Sequence, residues 1–183
     1  MGLALRKEDY DDLFAAPPAV DWAAAFAAVE DLNDLRWIAD RIEADTRTWL
    51  AGMSERLQTG LADIERKIEG LPRDDVRKVM LPLLDEAITA ASSTVEAHAE
   101  PFHERDDAKE TFGKLRKVSG PAGKFLRKQI NRIEDARVQR HNGALDLYYA
   151  LLAFRSELEE DGSGGQSFDD PSRLGDFLRK QVA

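Results

Sequence analysis

Apolar residues recur at steps of three and four along most of this chain, the spacing of one face of an α-helix. The longest run is Trp22, Phe26, Val29, Leu32, Leu35, Ile38, Ile42, Trp49, Met53, Leu57, Leu61, Ile64 and Ile68, with a polar gap at Asp45-Thr46. Unbroken, that run makes a helix roughly 70 Å long at about 1.5 Å per residue. A break is expected near Asp31–Asn33, because Asn and Asp bond to their own backbone and favour turns over helix interiors. Gly52 is a weaker bend position, and Asp21 has the chemistry of an N-cap. Upstream, Lys7 to Ala15 reads as a short helix closed by Pro17-Pro18.

Downstream, Gly70-Leu71-Pro72 is a stop and restart, with Asp74 and Asp75 placed to complement a positive helix end. The next helix runs through Val76, Met80, Leu84, Ile88, Ala91 and Val95, carries Pro82 inside it, and ends near Pro101. Glu104 to Val118 reads as a shorter helix. Ser119-Gly120-Pro121-Ala122-Gly123 breaks it, and a long helix follows from about Gly123 to Glu160. Strand signal is nearly absent, since β-branched residues are sparse and Ala is abundant. The expected fold is all-α: an elongated antiparallel helical bundle with long coiled-coil-like helices and a tethered short C-terminal helix. Its expected parts are a bundle domain at 1–160, a flexible Gly/Ser linker at 161–170 and a short helical tail at 171–183.

An eight-residue segment occurs twice. Gly123-Lys124-Phe125-Leu126-Arg127-Lys128-Gln129-Ile130 returns as Gly175-Asp176-Phe177-Leu178-Arg179-Lys180-Gln181-Val182. Each copy joins an apolar patch to an Arg-Lys pair, a pattern that suits a hydrophobic groove with acidic rims. Lys124, Phe125, Leu126, Arg127 and Lys128, with Phe177, Leu178, Arg179 and Lys180, are therefore the expected binding residues. The tethered copy can reach a groove on its own chain or on a neighbour.

Charge narrows the classes. The chain carries −9 overall, against general nucleic-acid binding. Lys114 to His141 nevertheless holds nine basic residues against Glu134 and Asp135, which is +7 and leaves −16 on the remainder. Pairing of that block with the acidic body is the simplest expectation. There is no cysteine, so disulfides and thiolate chemistry are excluded. The first residues lack the apolar stretch of a secretory signal and no apolar run suits a membrane span, so a cytoplasmic protein is expected.

Candidate chemistry is sparse. Arg137, Arg140 and His141 fall on the apolar face of the last long helix, interrupting it. Buried-facing ions need partners, and Asp45-Thr46 is a candidate source. The stretch Arg137-Val138-Gln139-Arg140-His141 resembles in part the HEPN ribonuclease family. In that family an Arg and a His from each of two subunits meet at a dimer interface and cleave RNA without metal. The family spaces the pair more widely than this chain does. A structural polar layer that fixes helix register is the preferred reading. Glu100 and His103 have a carboxylate–His metal spacing, but Pro101 lies between them, and with Glu96 and His98 they are expected to form a solvated acidic surface. Trp22 and Trp49 fit the core stripe, whereas Trp37 lies beside it and suits a subunit contact. No glycine-rich phosphate loop, nucleophile elbow or zincin motif occurs.

The expectation is a non-enzymatic helical protein–protein interaction module, an adaptor, regulator or small subunit, self-associating, with no cofactor or metal. The alternative is a metal-independent ribonuclease or nucleic-acid-processing protein using Arg137, Arg140 and His141 at a dimer interface, with nucleic acid as the partner.

Overall fold

The computed structural model describes residues 14–15, 20–21, 24–25, 29, 31–106 and 108–159. The linker, the tail and the second octamer, with Phe177, Leu178, Arg179 and Lys180, lie outside the described residues, as does Trp22. Among the described residues the chain is all-α, with four helices and no strand. They are α1 (Leu32–Ile68), α2 (Arg73–Ala99), α3 (Lys109–Arg116) and α4 (Gly120–Glu159).

The helix starts follow from short polar side chains. Asp21 Oδ1 accepts from the Ala24 N–H at 2.9 Å. Asp31 Oδ1 accepts from the N–H groups of Asn33 and Asp34, at 2.5 and 3.2 Å, and Asp34 Oδ2 accepts from the Asp31 N–H at 2.9 Å. This reciprocal arrangement satisfies donors that the first turn of α1 leaves open. The apolar stripe therefore breaks at Asp31. At the other end of α1, Gly70 adopts φ 76°, a left-handed conformation that closes the helix. Pro72 O then accepts from Asp75 and Val76, and α2 starts at Arg73. It continues through Pro82.

The shorter helix begins later than the sequence pattern suggests, at Lys109 instead of Glu104. Residues 101–105 form turns closed on Pro101 O, and Phe102 is buried and stacked on Phe112 with centroids 5.1 Å apart. That aromatic pair fixes the segment before a helix can start. Conversely, α4 begins three residues early. Pro121 presets a helical φ, Gly120 takes φ 70°, and Ser119 O accepts from Gly123 N–H at 3.4 Å.

The chain divides into two compact units, and α1, α2 and α4 each contribute to both. One contains residues 51–93 and 144–159 with Phe14; its core includes Met53, Leu57, Ile64, Met80, Leu84, Leu147 and Phe154. Phe14 meets Phe154 edge-on at 6.5 Å. The other contains residues 31–50 and 94–143. Its core joins Leu35, Ile38, Ala39 and Ile42 of α1 to Phe102, Ala108 and Phe112, and to Leu126, Ile130, Ile133 and Ala136 of α4.

Gly123 sits where α4 passes the end of α3. A Cβ there would fall on the Val118 carbonyl group, 2.7 Å from its carbon. Gly113, inside α3, has open space around it. Gly123→Ala is expected to lose about 1–3 kcal/mol by overpacking. Gly113→Ala is expected to gain about 0.5–1 kcal/mol by helix propensity. Thermal unfolding followed by circular dichroism should move in opposite directions for the two variants.

Candidate functional site

Helix ends dictate where the polar residues of the second unit go. The last carbonyls of a helix have no intrahelical donor. α2 ends without a C-terminal glycine, and its only basic residue in the last turn is His98. Two arginines from elsewhere take the role. Arg105 Nη1 donates to Ala97 O at 2.9 Å. Arg137 Nη1 donates to His98 O and to Ala99 O, the latter at 3.2 Å. The rest of the Arg137 fork grips Glu134 Oε1, with Nε at 3.0 Å and Nη2 at 2.7 Å. Glu134 Oε2 in turn accepts from the Phe102 N–H at 3.4 Å. Arg137 is only 5% exposed, so its charge is desolvated but bonded on every arm of the fork.

Arg140, 4% exposed, lies one turn on. Its Nε donates to Thr46 Oγ1 at 2.7 Å, and that hydroxyl donates to Ile42 O at 2.7 Å. The polar gap in the α1 stripe is thus where α4 places a guanidinium. Burial lowers the Arg140 pKa and Asp45 partly offsets this. His141 is half-buried and its Nδ1 lies 3.1 Å from Val95 O. A carbonyl only accepts, so Nδ1 carries the proton.

His98 differs from the sequence expectation. Instead of joining a solvated acidic surface it is fully buried, with Nδ1 2.8 Å from Thr94 O. The reason is register: Ala91, Thr94 and His98 occupy one buried stripe of α2. Glu96, Glu100 and His103 are exposed, as expected. Among the described residues no three His, Asp or Glu side chains come together as a metal cluster. Burial pulls the His98 pKa down, and the nearby charges of Arg140, Arg105 and Arg137 pull it further, against the Thr94 hydrogen bond.

The basic block divides between internal and solvent roles. Arg132 donates to Glu43 through Nε at 2.8 Å and Nη2 at 2.5 Å, to Asp40 at 2.6 Å, and to Gln129 at 2.7 Å. This clamp between α4 and α1 raises the Arg132 pKa and lowers that of Glu43. Lys114 pairs with Glu110 at 2.6 Å. In the first octamer, Leu126 is buried and Phe125 half-buried, while Lys124, Arg127 and Lys128 are exposed. Arg116 and Lys117 are exposed as well. Leu126 is therefore packed in the core.

The first unit repeats the same device. α4 ends with Glu157 and Glu159 and no basic residue in its last turn. Arg73 donates to Glu157 O, and Arg77 donates to Leu158 O and, at 2.8 Å, to Glu159 O. Sequence reading missed Arg73, Arg77 and Arg105. The available signal was a last helical turn without Lys or Arg.

The chain matches no protein-family model, no curated protein and no solved structure.

Removing Arg137 should unfold the end of α2. Arg137→Ala is expected to cost about 3 kcal/mol, because a carboxylate and two carbonyls lose their donor. His141→Ala, which breaks one half-buried bond, should cost about 1 kcal/mol. Denaturant titration of both variants checks the order. The buried His98 also predicts a pH dependence. Its folded pKa lies below the unfolded value of about 6.5, so the unfolded chain takes up the proton first. Stability should therefore be constant above about pH 7 and fall below it, by at most about 1.4 kcal/mol per pH unit. The measurement is unfolding free energy from pH 7.5 to 5, in which His98→Gln should flatten the slope.

Proposed function

We propose that this chain is a non-enzymatic helical protein–protein interaction module, an adaptor, regulator or small subunit of a larger assembly, that self-associates through an exposed aromatic surface. Trp37 carries the reading. It is 61% exposed on α1, and the Arg41 guanidinium lies over its ring at 5.6 Å from the centroid. An indole left in water forgoes a large burial gain, and Trp, Tyr and Arg are the residue types enriched among the hot spots of protein interfaces. Tyr149 is 58% exposed on α4, a second aromatic of the same kind.

The Arg/His cluster supports this reading over a ribonuclease. Arg137 and Arg140 are buried and directed at Glu134, helix-end carbonyls and Thr46. A phosphodiester needs such groups at an accessible surface. No helix among the described residues is long and apolar enough to cross a membrane. Three helices of 37, 27 and 40 residues motivate the bundle with coiled-coil-like helices that belongs to this proposal, as does a cytoplasmic location.

Trp37→Glu should lower the self-associated fraction and the recovery of bound protein at least about tenfold, the scale of a hot-spot residue. It should change unfolding free energy by only about 0.5 kcal/mol, since the site is exposed. Sedimentation of wild type and variant across concentration is the direct measurement. Unchanged mass and unchanged recovery sink the proposal, as does RNA cleavage by the wild type that is lost in His141→Ala.

A further inference from the structure

We infer that the partner covering Trp37 is α1 of a second copy of this chain, packed antiparallel about a twofold axis level with Glu43. The inference rests on the self-association reading above, to which it gives an orientation and a register. Within the second unit, α1 buries one side and leaves the other in water. Leu35, Ile38, Ala39, Ile42 and Thr46 are buried, whereas Trp37, Ala44 and Thr48 are exposed. At about 100° per residue those three exposed positions fall within about 40° of one another, on the side opposite the core. They form one stripe, whose large side chain is the Trp37 indole.

Charge flanks the stripe on both sides. Arg41 and Asp45 lie on one flank, and Arg36, Asp40 and Arg47 on the other, all exposed. Both flanks carry both signs, and this decides the direction of packing. When two helices meet in parallel, each flank meets the opposite flank of its neighbour. At the usual offset of about five residues, Arg36 then comes against Arg41 and Asp40 against Asp45, like charge on like. When two helices meet antiparallel, each flank meets its own kind. With the axis level with Glu43, Arg41 of each copy stands opposite Asp45 of the other, and Asp40 opposite Arg47. Opposite charges then meet twice on each flank. Asp40 also bonds Arg132 of α4 at 2.6 Å, so Arg41 and Asp45 form the flank turned away from α4. Within one chain those two are only 3.8 Å apart in an open, solvated pair, the kind that contributes little by itself.

The same axis seats the stripe. Trp37 lies six residues to one side of Glu43 and Thr48 five to the other. Each indole therefore meets Thr48 of the other copy, offset by about 1.5 Å along the helix. Ala44 falls beside the axis, where its single methyl lets two helices approach to about 8–10 Å. Arg41 already lies over the indole, 5.6 Å from the centroid. The contact that buries the ring thus brings Arg41 to Asp45 of the other copy.

Two variants of complementary charge test the arrangement. Arg41→Asp makes its flank acidic and Asp45→Arg makes it basic. Each alone should self-associate at least about tenfold more weakly than wild type, because like charges meet at both symmetric contacts. Mixed one to one, they should recover wild-type association as a heterodimer, read by sedimentation and native mass spectrometry. A mixture that associates no better than either variant overturns the inference. The chain has no cysteine, so single cysteines give an independent measure. Ala44→Cys should form a disulfide-linked dimer under mild oxidation much faster than Arg36→Cys, whose sulfurs lie roughly 20 Å apart in the antiparallel pair. Equal rates overturn the inference. Wild-type protein that stays monomeric overturns this inference and the self-association reading together. Wild type that associates, and loses association on Trp37→Glu, with no recovery in the charge mixture, overturns the inference alone.

Discussion

The C-terminal carbonyls of α2 and α4 have to be satisfied, and arginines from distant positions satisfy them. α2 does not close with a left-handed glycine as α1 does at Gly70. Arg105 and Arg137 bond to Ala97, His98 and Ala99; Arg73 and Arg77 bond to Glu157, Leu158 and Glu159. Each interaction does two things at once. It supplies donors to carbonyls that lack them, and it sets a positive charge against the negative end of a helix dipole. Arg137, Arg73 and Arg77 lie 38 to 84 residues from the carbonyls they bond, so these bonds tie separate helices together within each unit.

That constraint accounts for the oddest feature of α4, two arginines on an apolar face. Arg137 belongs there because the end of α2 lies against that face, and Glu134 completes its fork. Arg140 belongs there because Thr46 interrupts the facing stripe of α1. Burying a guanidinium is costly unless its hydrogens find acceptors, and these positions provide them. Burial lowers the His98 pKa, and the charges of Arg140, Arg105 and Arg137 lower it further, which links the helix junction to pH. The arginines that interrupt the apolar face are thus bonded to helix-end carbonyls, Glu134 and Thr46. Among the described residues, Trp37 with Arg41, Tyr149, and Lys124, Arg127 and Lys128 of the first octamer stay exposed.

Much of the fold was legible in advance because local rules govern it. The break at Asp31, the stop at Gly70 and the restart before Arg73 depend on side chains within a few residues, and each occurs where expected. The late start of α3 was not legible, because it depends on Phe102 stacking on Phe112. His98 was misplaced for a related reason. Its neighbours Glu96 and Glu100 are charged, and local composition suggested solvent, but the buried stripe of α2 runs through Ala91 and Thr94 to His98. The candidate site was half legible. Periodicity put Arg137, Arg140 and His141 on the inward face, whereas the acceptors His98, Thr46 and Val95 lie 39, 94 and 46 positions away, outside the reach of any local rule.

By itself, the sequence determined an all-α chain, the main helix boundaries, the unequal spread of charge and the two octamers. These follow from hydrophobic period, turn chemistry and composition, all of which act over one or two helical turns. Only the tertiary structure decided which arginines cap which helix, that His98 is buried, and that Leu126 belongs to the core while Trp37 does not. Those outcomes depend on which faces meet, and a buried charge or an open carbonyl is costly or satisfied according to a neighbour that the local pattern does not name.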